Sequence, residues 1–171
     1  MIDIWNNTIS KKDIVYIIGD FAFGSSEDIK KYLLPKLNGH KYLILGNHDK
    51  SSQNLNGYFT QITQMKEVAF KQKNFPFLEE GFRVFMCHYP MLTWDAKHYG
   101  VVQVMGHSHG SLDQFNEEST DLRVDVGIDG TLANFKPISL EELYRYFKNK
   151  TNGKMFLEYA QEQKDLKTTQ F

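Results

Sequence analysis

Ile14-Val15-Tyr16-Ile17-Ile18-Gly19-Asp20 is the stretch from which the rest of the chain can be read. Five apolar β-formers in a row, ending abruptly in glycine and a carboxylate, describe a strand covered on both faces, as strands in α/β sheets are. Ser25-Ser26-Glu27 then open a predicted helix with apolar positions at Ile29, Tyr32, Leu33 and Leu37, and Asn38-Gly39 stop it. Residues 41–45 predict a second strand, again ending in glycine and polar residues, Gly46-Asn47-His48-Asp49. Strand, helix and strand within roughly thirty residues predict a βαβ unit.

Ahead of this unit, Ile2, Trp5 and Ile9 fall at helical spacing and read as the tail of a helix. Behind it, a polar stretch at 50–57 reads as a mobile loop, and the pattern turns to short strands. The candidates are 65–70, 82–87, 101–105 and 121–126, some alternating as half-buried strands do. Ser139-Leu140-Glu141-Glu142 fits a capping box that opens a helix to about residue 148. Residues 154–167 predict a last helix, with 160–171 as a fraying tail. No repeat or Pro-, Gly- or Ser-rich linker divides the chain, so 1–171 reads as one α/β domain.

The chain has 171 residues with 20 Lys and Arg against 21 Asp and Glu, a net charge of −1. That balance argues against nucleic acid and anionic membranes as partners, because no basic field would hold them, so an anionic substrate has to be gripped locally. The single cysteine, Cys87, excludes an internal disulfide, and no apolar run reaches the roughly 20 residues that span a bilayer. Met1-Ile2-Asp3 lacks the basic flank of a signal peptide, so the expected compartment is the cytoplasm.

Chemistry gathers at strand ends: Gly19-Asp20, Gly46-Asn47-His48-Asp49, His88 and Gly106-His107-Ser108-His109. Ligands in α/β sheets bind at the carboxyl ends of strands, where loops converge on a rigid frame. A carboxylate, an amide and several imidazoles suit Mn, Fe, Zn, Ni or Co better than the all-oxygen cage of Ca²⁺. Each piece alone is weak, but Gly-Asn-His-Asp should arise by chance on the order of once per thousand chains of this length. Alternation turns the Cys87 side chain away from His88, into the core. His98 is a candidate for reaching a substrate from a loop, against the simpler reading of a solvated surface histidine. Tyr89 and Trp94 either line the site or pack the Pro90 turn. A structural zinc domain does not fit, since such sites lean on several thiolates.

The order of these motifs resembles the calcineurin-like metallophosphoesterases, and more closely their small single-domain forms in bacteria and phages. The resemblance covers about residues 5–142 and implies a four-layer α/β/β/α sandwich with mixed sheets. It implies that Asp20 bridges two metals, that Asn47, His88 and His107 complete one of them, and that His109 belongs to the other. His48 would protonate the departing oxygen, Asp49 would fix the tautomer of its ring, and Asn47 would also meet substrate. Hydroxide held between the metals would attack phosphorus in line. The substrate is then a small phosphoester or a nucleotide, as monoester or diester.

One departure matters. Members of this family normally begin with a strand ending in Asp-x-His, which supplies two ligands to the His109 metal, and no such motif precedes Asp20. Against that pattern the chain is expected to lack its N-terminal strand, to hold one metal well and to hold a second weakly. Activity would be impaired. The strand at 14–18 would become an exposed edge open to self-association. The alternative reading is a noncatalytic remnant that binds one metal or a partner.

Overall fold

The computed structural model describes residues 1–49 and 55–168. Two sheets carry the fold. In the first, β1 (Ile14–Ile18), β2 (His40–Ile44) and β3 (Gln61–Thr63) run parallel in that order. The second follows the order β4 (Met65–Phe70), β5 (Phe82–Cys87), β6 (Val102–Met105) and β7 (Arg123–Asp125). Its first pair is antiparallel and the other two are parallel.

Alternation along the strands distributes the side chains among three apolar clusters. Tyr16, Ile18 and Ile44 of the first sheet share one cluster with Val84, Met86, Val104 and Val124 of the second. The opposite faces look outward. Ile17 and Leu43 pack on Ile29 and Leu34, while Phe85 and Cys87 pack on Trp94 and Val101. The result is a layered α/β architecture with one parallel and one mixed sheet, consistent with the fold that the family resemblance implies. Cys87 is buried on the face away from the site, as alternation requires.

Phe82, the first residue of β5, is the hub of the far end of the core. Its ring centroid lies 5.3 Å from Tyr144 and 5.4 Å from Phe156. Tyr144 belongs to α4 (Leu140–Lys150), which opens with the expected capping box. Ser139 accepts from the Glu142 N–H, and the Glu142 carboxylate accepts from the Ser139 N–H. Phe156 begins α5 (Phe156–Thr168), the last described element.

The helix expected over 25–37 is broken. Ser25 caps a single α-turn, α2 (Ser26–Asp28), which widens into a π-turn at Ile29–Leu33 and tightens to a 3₁₀ turn at Leu34–Lys36. Pro35 is the cause: it donates no N–H, and its ring would strike the carbonyl four residues back, so a regular α-helix cannot pass through it. The loop reading at 50–57 also needs correction where it can be tested, because Leu55 is fully buried against Leu43 and Phe59. Residues 50–54 lie outside the described residues. The helix expected near residue 2 is present as α1 (Ile2–Thr8). It is tied to the turn before β2 by Trp5 Nε1, which donates to the Asn38 carbonyl at 3.0 Å.

Strand β1 pairs with β2 alone among the described residues. Its apolar run predicts burial on both faces, yet Ile14 is exposed and Val15 to Ile18 are only half-buried. The edge expected there is present in the described chain.

Candidate metal centre

All four polar clusters follow strands, and the four strands, β1, β2, β5 and β6, bring Asp20, Asn47, His88 and His107 toward one point where the sheets meet. The two sheets are stitched there by His88, whose Nδ1 lies 2.9 Å from the Ile18 carbonyl oxygen. Glycines make this approach possible. A Cβ on Gly19 would stand 2.1 Å from His88 Nδ1, and one on Gly46 would stand 2.3 Å from Asp20 Oδ1.

The Ile18 carbonyl can only accept, so the Nδ1 facing it carries a proton, and the tautomer that would bind a metal through Nε2 is the one this contact selects. In that tautomer Nε2 is a bare lone pair. That lone pair faces Asn47 Oδ1 at 3.1 Å and Asp20 Oδ2 at 3.3 Å, so three acceptors converge with no proton among them. Buried His88 makes such an arrangement costly unless a cation resolves it. Asp20, His88 and His107 each offer a ligand atom within 4.8 Å of the others, the one such His/Cys/Asp/Glu group among the described residues. One carboxylate, one amide and two imidazoles therefore fit a divalent transition metal.

The backbone around this group is strained. Asp20, His107 and His109 all have positive φ, at 52°, 68° and 49°. For non-glycine residues this costs about 1–2 kcal/mol each and persists only where the surroundings enforce it. Asp49 is one enforcer. Its buried carboxylate accepts from the N–H groups of Asp20 at 2.7 Å, Phe21 at 3.0 Å and Gly46 at 2.8 Å. The sequence leads one to expect Asp49 against the His48 ring; the structure shows it bracing the main chain of the two ligand loops.

His48 is exposed, with its N–H on Asp20 Oδ1 at 2.8 Å and its ring centroid 5.2 Å from that of Phe23. His109 stands outside the three-residue group. Its Nδ1 lies 2.6 Å from Asp129 Oδ2, and that hydrogen bond holds the imidazole above its ordinary range and Asp129 below the carboxylate range. The structure does not bring His98 to the cluster. It sits on a 3₁₀ turn, Lys97–Tyr99, ahead of β6, whereas His107 follows β6. A four-residue strand spans roughly 13 Å, which separates them. Trp94 is buried and donates to the Val101 carbonyl, so it packs the loop, while Tyr89 lies 4.9 Å from His107 between ring centroids. Sequence reading missed Asp129 and gave Asp49 a different role, because an aspartate beside a strand end looks the same whether it binds solvent, metal or main chain.

Comparisons with known proteins agree with this geometry. The family model for calcineurin-like phosphoesterases matches residues 2–133. An uncharacterised protein of Methanocaldococcus jannaschii is 29% identical over 146 residues, covering 82% of this chain and 69% of the relative. The Gene 66 protein of Mycobacterium phage D29 is 24% identical over 147 residues, with 74% and 72% covered. Among solved structures, a protein of unknown function from Aquifex aeolicus superposes with a TM-score of 0.62 at 21% identity, covering 85% of this chain and 82% of its own, a likeness of fold. With most of the chain matched by the family model and the ligand cluster in place, this chain belongs to the calcineurin-like phosphoesterases.

Proposed function

We propose that the chain hydrolyses phosphoesters with one firmly held divalent transition metal, Mn, Fe, Zn, Ni or Co, at Asp20, Asn47, His88 and His107. The observation that carries this reading is the convergence of Asp20 Oδ2, Asn47 Oδ1 and the bare His88 Nε2 on one point. A divalent cation held there supplies charge to polarise a phosphoryl oxygen and to acidify a water. The protein's own contribution is to keep those donors aimed. The Ile18 carbonyl fixes the His88 tautomer, and Asp49 holds Asp20 in its strained conformation. Exposed His48, tethered to Asp20 through its N–H, gives its proton to the departing oxygen. The Asn47 amide nitrogen is a donor for a phosphoryl oxygen.

His109, hydrogen-bonded to Asp129, and Asp20 are the two protein ligands for a second ion among the described residues, so that ion binds weakly and turnover is slow. Two protein ligands are too few for a tightly held metal. The substrate is a small phosphoester or a nucleotide, as monoester or diester. Hydrolysis of p-nitrophenyl phosphate and of its bis-ester, with Mn²⁺ and then with excess chelator, tests the reading. Turnover that needs metal and vanishes in His88→Ala is expected. A folded, Mn²⁺-loaded chain that cleaves neither ester refutes it. A second reading, a metal-holding protein that pairs with a partner through β1, draws on the half-exposed apolar edge of that strand. It would be favoured by a loaded, inactive chain that sediments as a dimer.

A further inference from the structure

We propose that Asp125 is a positioning residue for metal binding: its buried carboxylate holds the Gly106–Gly110 loop in the strained conformation that presents His107. The inference rests on the metal-site reading above and concerns a residue that touches neither metal nor substrate. Asp125 ends β7, where its register partner is Met105, the residue just before the loop. Only 1% of it is exposed. Its Oδ2 accepts from the Ser108 hydroxyl and from the Gly110 N–H at 3.3 Å, and its Oδ1 accepts from the Gly127 N–H at 2.7 Å.

These donors flank both left-handed histidines of the loop, at 107 and 109. The bonds to Ser108 and Gly110 keep the loop from relaxing to ordinary dihedrals, and the bond to Gly127 fixes the carboxylate itself. The arrangement mirrors Asp49, another 1%-exposed carboxylate whose bonds hold left-handed Asp20. Each sheet thus contributes ligand residues and a buried carboxylate that accepts from the loops carrying them. Asparagine at 125 keeps the size but presents an amide N–H₂ to one set of donors, so part of the brace is lost while the core is spared.

Loss of a group that orients a metal ligand typically costs 10–100-fold in affinity. Calorimetric titration of the metal-free chain with Mn²⁺, run well below the unfolding transition, reads this directly. Asp125→Asn should weaken Mn²⁺ binding about 10-fold or more while keeping the circular dichroism of the native chain. A purely structural Asp125 would lower the melting temperature and leave the Mn²⁺ affinity of the folded protein unchanged, and that result overturns the proposal. If Asp125→Asn does not fold, Ser108→Ala, which removes one donor to the same oxygen, decides. Weaker Mn²⁺ binding supports the brace and unchanged binding overturns it. A native chain that takes up no Mn²⁺ would instead overturn the metal-site reading itself.

Discussion

Gly19→Ala is the substitution whose consequence can be worked most fully from the geometry. The added Cβ would stand 2.1 Å from His88 Nδ1 and 2.6 Å from its Cγ. Ordinary contact begins near 3.4 Å, so the ring must retreat by about 1.3 Å. That movement breaks the 2.9 Å bond to the Ile18 carbonyl and carries Nε2 out of its 3.1 Å and 3.3 Å relations with Asn47 and Asp20. The backbone at residue 19 also has φ of 83°, which costs an alanine about 1–2 kcal/mol. The lost hydrogen bond adds about 1 kcal/mol. The total is about 2–3 kcal/mol of stability, together with a drop in Mn²⁺ affinity of about 10–100-fold. Gly153→Ala is the control, since Gly153 has φ of 79° with open space where its Cβ would go. It should show the backbone cost and bind Mn²⁺ normally. Calorimetric titration and thermal melts of the two variants separate the effects, and Gly19→Ala with native Mn²⁺ affinity would refute the account of how His88 is seated.

Other substitutions address separate parts of the account. His48→Ala should reduce turnover of p-nitrophenyl phosphate while sparing Mn²⁺ binding, whereas Asn47→Ala should weaken the metal first; equal metal loss in both would remove the acid role from His48. Phe82→Ala should cost about 3–5 kcal/mol in chemical denaturation, because the ring lies at the hub of the core. Ser139→Ala should cost about 1 kcal/mol through loss of the α4 cap, a fall in melting temperature of about 2–4 °C. The bonds from Ser139 hold the Glu142 carboxyl below its ordinary range, so its contribution is present at neutral pH and is lost as pH falls through that lowered value. Glu142→Gln should flatten the acid limb of a stability–pH profile, and an unchanged limb would show that the cap carries no pH dependence.

Much of this was legible in residues 14–49 and in the positions of the histidines. Strands β1, β2, β5 and β6 stand out because their apolar runs end in glycine or at a site residue, and α4 because its capping box leaves a local signature. Pro35 shows where periodicity misleads: the apolar positions of a helix were all present, and one residue without an N–H broke the helix into three kinds of turn. Strand β3 and helix α3 (Asp113–Glu118) are three and six residues long, too short to carry a period. At the site, Asp20, Asn47, His88 and His107 could be picked out because residue types with metal chemistry follow strands. Asp49, Asp125 and Asp129 act through hydrogen bonds to loops distant in sequence, which no spacing encodes. Asp125-Val126-Gly127 does repeat the pattern of a strand ending in aspartate and glycine, and that was the available signal.

The central claim is that this chain builds one complete metal site and a second, weak one. Counting bound Mn²⁺ per chain by elemental analysis, after loading and exhaustive dialysis, tests it most directly. One ion per chain is the predicted result, falling to none in His88→Ala; two retained ions, or one that survives the loss of His88, would contradict it.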